Sequence, residues 1–140
     1  MKALIVAAAL VVAGPACAHN RIDMSIAATR KLVTRYAALN GVPLHLAHGV
    51  IRVESGYRCN AKNRHSTASG AGQLLRSTAR ALGVRDPFDC RQNISASMRY
   101  LAQAIRRGGA GCAGVSLYNL GTSARPRCTA YGRRVMAGGQ

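Results

Sequence analysis

Tryptophan is absent from the chain, phenylalanine occurs once, at Phe88, and glutamate once, at Glu54. A core without Trp must rely on Ala, Leu, Ile, Val and Tyr. Runs of strand length that alternate apolar and polar residues are missing too, which argues against a sheet protein. There are no internal repeats, no low-complexity segment and no linker that would divide the chain. No stretch approaches the roughly 20 apolar residues of a membrane-spanning helix, so stable insertion in a bilayer is not expected. Cys-x-x-Cys pairs are lacking, so the thiols do not read as a zinc site, and no metal or cofactor is expected. Acids are few: Glu54, Asp23, Asp86 and Asp89 stand against 20 Lys and Arg, of which 17 are Arg.

What is present begins with MKALIVAAALVVAGPACAHN. A basic residue, Lys2, precedes an apolar run over 3–13, then Gly14-Pro15 and Ala16-Cys17-Ala18. Charged start, short apolar core and small-x-small end are the pattern of a secretory signal peptide, with cleavage after Ala18. The expected division is a signal peptide over 1–18 and one domain over 19–140. The remaining 122 residues carry a net charge of +15 and four cysteines, Cys59, Cys90, Cys112 and Cys128. An even count in a short exported chain predicts two disulfides. Four cysteines permit three connectivities; Cys59–Cys90 with Cys112–Cys128 is favoured, partly because Cys112 and Cys128 flank one short loop. A charge of +15 draws the domain toward polyanions such as a carboxylate-bearing wall polymer or anionic outer lipids. Export argues against nucleic acid as the partner.

The rest reads as all-α. Ile22, Ile26, Thr29, Val33 and Tyr36 fall on one helical face that Asn40-Gly41 ends. Pro43 opens a second helix, on which Ala47, Val50, Ile51 and Glu54 share a face, and Gly56 stops it. Residues 57–72 lack periodicity and make a long loop, a length that is usually functional in a compact domain. A short helix is expected over 77–82 with Ser77 as its cap, then a turn at Asp86-Pro87. Ile94, Met98, Leu101 and Ile105 mark another helix from about Asn93, followed by short helices over 112–120 and 129–136.

Glu54 therefore lies on the apolar side of its helix, where loss of hydration disfavours the charged carboxylate and raises its pKa. Such a carboxyl can stay protonated and act as a general acid. An internal ion pair with one of the many arginines is the alternative use of the same residue.

Five segments resemble, in order, the motifs of the soluble-type lytic transglycosylases, relatives of goose-type lysozyme. They are VIRVESGY, SGAGQLLRSTARALG, DPFDCRQNISASMRYLAQAI, VSLYNLG and YGRRVM, spanning about 36–136. Each is weak alone; five at family-like spacing are specific. The resemblance implies a single lysozyme-like helical domain, stapled by disulfides, with the long loop at its active site. It implies Glu54 as the one acid/base and Ser55 beside it, contacting sugar. Gln73 would line the cleft and bind substrate. Tyr118 would hold the Glu54 carboxyl through its hydroxyl, Asn119 would bind glycan, and Tyr131 would close the site. Two departures stand out. Gly72 occupies a place where Met is commoner, which predicts a more open wall. The loop is one residue longer than usual, and Cys59 stands where Pro is common, so that a disulfide can replace the proline's rigidity.

Ordinary glycosidases pair two carboxylates. Asp23 lies near the start of the chain, and Asp86 and Asp89 read as turn and helix-start residues. The family's route needs one: Glu protonates the glycosidic oxygen, the substrate acetamido group assists, and the C6 hydroxyl closes a 1,6-anhydro ring on MurNAc. The implied partner is the peptidoglycan glycan strand. A hydrolytic muramidase, a non-catalytic cationic wall-binding protein and an accessory of a secretion or pilus apparatus are the alternatives. His45 and His48, three apart, lack a third ligand and read as surface or packed residues, while His65 lies in the long loop.

Overall fold

The structure is a computed structural model and describes residues 24–138. Ile22, Asp23 and the segment over 1–18 that reads as a signal peptide lie outside the described residues. Six helices follow in order: α1 (Ile26–Leu39), α2 (Leu44–Ser55), α3 (Arg76–Ala81), α4 (Cys90–Gly108), α5 (Cys112–Leu120) and α6 (Ala130–Ala137). Among the described residues there is no strand; two isolated bridges, Lys62 with Ser69 and Ser69 with Leu74, lie inside the long loop. No described helix is long and apolar enough to cross a membrane. The architecture is all-α, as expected.

α4 runs through the middle because its apolar positions recur at helical spacing. Ile94, Met98 and Leu101 are fully buried, with α5 packed on one side and α1 on another. α2 packs against α1 and α6, and α6 also against α5. Two close approaches set these contacts. A Cβ on Gly49 of α2 would lie 2.5 Å from the Val135 carbonyl oxygen of α6. One on Gly132 of α6 would meet Ser116 and Cys112 of α5. Only glycine lets those backbones come so near.

The caps explain most element ends. Ser25 caps α1, Asp89 caps α4 through the Gln92 amide (2.9 Å), and Thr129 caps α6. Gly56 ends α2 in the left-handed conformation, φ 60°. Asp86 holds its turn through the Phe88 amide, 2.9 Å.

Three local expectations need correction. Ile26 is 55% exposed, so the buried stripe of α1 runs through Thr29 and Val33, with Tyr36 at its half-buried edge. Ser77 does not cap α3. That helix starts at Arg76, whose amide is taken by the Thr67 hydroxyl across the loop, 3.2 Å. α4 begins at Cys90 rather than near Asn93.

The cysteines pair as Cys59–Cys90, Cα atoms 5.2 Å apart, and Cys112–Cys128, 5.0 Å. The first ties the long loop to the start of α4 and packs against buried Thr29 of α1. The second joins the first residue of α5 to the segment just before α6. Thiol titration of the denatured, unreduced mature protein should find no free thiol. Reduction should lower stability by about 2–4 kcal/mol per bridge; two or more reactive thiols before reduction would contradict the pairing.

Candidate active site

Glu54 sits in the last turn of α2, on the face that Ala47, Val50 and Ile51 turn to the core, so its side chain is half-buried. The Tyr131 hydroxyl of α6 donates to Glu54 Oε1 at 2.7 Å. Antiparallel packing explains the meeting: Gly49 contacts Val135, and about one turn on, in opposite directions, come Glu54 and Tyr131. The carboxyl's partner is thus a phenol, and among the described residues the ion-pair alternative is not realised by a direct bond. Burial pushes the Glu54 carboxyl above the ordinary carboxylate range, while the Tyr131 hydrogen bond and the Arg134 charge partly oppose the rise. Burial, then the Glu54 charge, hold both tyrosines above the usual phenol range, so each stays a neutral donor.

The expected holder of Glu54 is corrected here. Tyr118, from α5, is buried and spends its hydroxyl on the Gly72 carbonyl, 2.8 Å, while its ring meets Tyr100 edge-on at 5.2 Å. It lines the cleft beside Glu54 but fastens the loop. Tyr131→Phe should raise the Glu54 pKa further, because the lost bond favours the charged form. The alkaline limb of a pH–rate profile should then move to higher pH. A shift to lower pH would contradict the geometry.

Ser55 is also corrected. It is only 4% exposed, and its Oγ donates to the Ala71 carbonyl at 2.6 Å, with the Ile51 carbonyl at 3.3 Å. It pins the loop to α2 and lines neither side of the cleft. Gln73 does line the cleft, in a left-handed conformation, φ 48°. Its Nε2 donates to the Ala61 and Gly70 carbonyls at 3.1 and 3.0 Å. Only its amide oxygen is left to meet a ligand. Asn119 is exposed on the cleft wall at the end of α5.

Gly72 does not open the wall. A Cβ there would collide with Ser97 and stand 2.8 Å from the Tyr118 hydroxyl oxygen, so these side chains fill the space. The residue that orders this stretch is Asn93, fully buried in the first turn of α4. It accepts from the Gly72 amide at 2.8 Å and donates to the Ser69 and Pro87 carbonyls, both at 3.0 Å. Sequence reasoning took Asn93 for a helix start. An amide on the same face as Ile94 and Ser97 was the available signal.

The cleft runs to both sides of Glu54. One side, about 430 Å³, is walled by Leu75, Thr78, Tyr100, Tyr118 and Asn119. The other, about 520 Å³, is walled by Arg58, Lys62, Arg64 and His65. Glu54, Asn63 and Gln73 border both. Asp86 and Asp89 line neither, so Glu54 is the one carboxyl there among the described residues. Also among these residues, no group of three or more His, Cys, Asp or Glu is placed to hold a metal. His48 instead meets Thr34 at 3.0 Å and Tyr57 at 3.1 Å.

The all-α architecture with its two disulfides is that of a lysozyme-like helical domain, and among the described residues one half-buried carboxyl borders its open cleft. The chain belongs to the transglycosylase SLT domain family, whose model matches residues 31–134. It is similar to the membrane-bound lytic murein transglycosylase F of Desulfosudis oleivorans, 36% identical over 89 residues. That match covers 64% of this chain and 19% of the relative, so the chain spans about a fifth of that protein's length. No solved structure matches.

Proposed function

We propose that the protein is an exported peptidoglycan lytic transglycosylase. It cleaves the MurNAc-β-1,4-GlcNAc bond and leaves a 1,6-anhydro-MurNAc end, with Glu54 as the single acid/base. The observation that carries this reading is the solitary raised-pKa carboxyl, bonded to Tyr131 at 2.7 Å, on a cleft without a second carboxyl among the described residues. Glu54 gives its proton to the glycosidic oxygen as the C1–O bond breaks. The carbonyl oxygen of the neighbouring acetamido group bonds to C1 and carries the positive charge. The Glu54 carboxylate then takes the C6 hydroxyl proton, and O6 displaces the acetamido oxygen from C1. The proton is back on Glu54, and no water is consumed. One carboxyl serves as acid and then as base, which its raised pKa suits. Asn119 and the Gln73 amide oxygen would bind sugar polar groups.

Export rests on the signal-peptide pattern of residues 1–18, and the +15 charge of the remainder suits an anionic wall. A short basic wall-cleaving domain also suits local opening of the wall beside a secretion or pilus apparatus. The experiment is digestion of purified peptidoglycan with mass analysis of the products. Anhydro-muropeptides, one water lighter than hydrolysis products, are expected. Hydrated ends would make the protein a muramidase, and undigested polymer would make it a wall-binding protein.

A further inference from the structure

The two halves of the cleft differ in charge. One carries two tyrosine rings, leucines and an amide; the other carries Arg58, Lys62 and Arg64, with His65, and no acid except Glu54. These cations stand on a loop fastened at many points. The Arg58 Nε donates to the Ser55 carbonyl at 2.9 Å, immediately beside Glu54. Lys62 is bridged to Ser69, the Asn63 amide bonds the Ala68 carbonyl at 3.0 Å, and the His65 amide bonds Asn63 Oδ1 at 2.8 Å. The Cys59–Cys90 bridge anchors the segment just after Arg58. The loop backbone is thus set before a ligand arrives, and of the three cationic side chains that of Arg58 is itself held by a hydrogen bond.

In intact peptidoglycan the lactyl carboxyl of each muramyl residue is tied up as an amide, so the free carboxylates sit on the attached peptide. We infer that Arg58, Lys62 and Arg64 form a subsite for the carboxylates of such peptide stems, which makes the protein select strands whose stem carboxylates are free over strands in which they are blocked. The inference rests on the wall-cleaving reading, since it takes the glycan to lie across Glu54. A second basic face, with Arg30, Lys31, Arg35 and His48, lines separate hollows that share no residue with the cleft. It supplies a control of equal charge.

Binding is measured first, by calorimetry, in a Glu54→Gln background that does not consume the ligand. The probes are a disaccharide-peptide with free carboxylates and the same molecule as its methyl ester. Adding Lys62→Gln with Arg64→Gln should weaken the free acid about tenfold. Adding Lys31→Gln with Arg35→Gln should weaken it less than about twofold, as distant exposed charges are screened. The ester should bind all three proteins alike. Equal losses from both charge pairs, or equal binding of acid and ester, would overturn the subsite. Turnover then compares strands whose stem carboxylates are free with the same strands after methyl esterification. The kcat/KM ratio should favour the free-acid strands about tenfold in the unaltered protein and approach one in the Lys62, Arg64 variant. Equal cleavage of both strand types by the unaltered protein would sink the subsite while catalysis stands. Absence of all cleavage with the binding pattern intact would sink the catalytic reading and leave the subsite.

Discussion

Glu54→Gln should lower glycan cleavage by about 10² to 10⁴, the usual weight of a positioned acid/base, while the fold survives. Glutamine keeps the side chain's size and leaves an amide oxygen to accept the Tyr131 hydroxyl that Glu54 Oε1 now accepts at 2.7 Å. It cannot deliver or take up the proton. Stability carries a second signature. The folded carboxyl holds its proton more tightly than the unfolded one, for which the ordinary value is 4.5. Its stabilising share is therefore complete below that value and is lost as pH climbs through the raised folded value. The glutamine has no such loss. Melting temperatures of the two proteins should nearly coincide at low pH and diverge in favour of the variant by pH 8. A salt-bridged Glu54 would behave in the opposite way. Its replacement would leave a cation uncompensated and lower stability by about 3–5 kcal/mol. A fully active variant would end the single-carboxyl mechanism whatever the melting curves show.

The helices were legible where one period dominated. Ile94, Met98 and Leu101 on α4 and Ala47, Val50 and Ile51 on α2 are buried as their spacing requires. The pairing of Cys112 with Cys128 is as expected, although helix α5 fills more than half of the interval that reads in the sequence as one short loop. The inward turn of Ser55 could have been read, because it stands four residues after Ile51 on the same buried stripe. Three features were beyond such reading. Which phenol reaches Glu54 depends on how near α6 comes to α2, and that is decided by glycine contacts between distant parts of the chain. Whether Gly72 widens or closes the wall depends on Ser97 and Tyr118, 25 and 46 residues away. The basic half-cleft arises from one loop's folding back on itself, a shape that carries no periodic signal.

The loop's dependence on one side chain yields the largest expected loss of stability. Asn93 is fully buried and makes three hydrogen bonds to backbone groups of residues 69, 72 and 87. In Asn93→Ala the Gly72 amide loses its partner in the interior, and the Ser69 and Pro87 carbonyls lose a donor. Stranded buried groups cost about 1–3 kcal/mol each, so a total near 3–5 kcal/mol is expected in denaturant unfolding, a large share of a small domain's stability. The damage should reach the site. Gly72 also accepts the Tyr118 hydroxyl at 2.8 Å, and its neighbour Ala71 accepts Ser55 at 2.6 Å. A loosened 69–73 segment therefore frees both the wall beside Glu54 and the Gln73 amide that borders it. Cleavage measured where the variant is still folded should fall about tenfold or more, since small displacements at an active site are costly. Asn93→Asp should not rescue the loop. Its carboxyl can still accept from Gly72, but a charge at this fully buried position would face the Ser69 and Pro87 carbonyls. It should be destabilised at least as much as the alanine variant at neutral pH. A loss under 1 kcal/mol in Asn93→Ala would mean that the loop is held by its disulfide and its own backbone bonds, and that the buried amide is incidental.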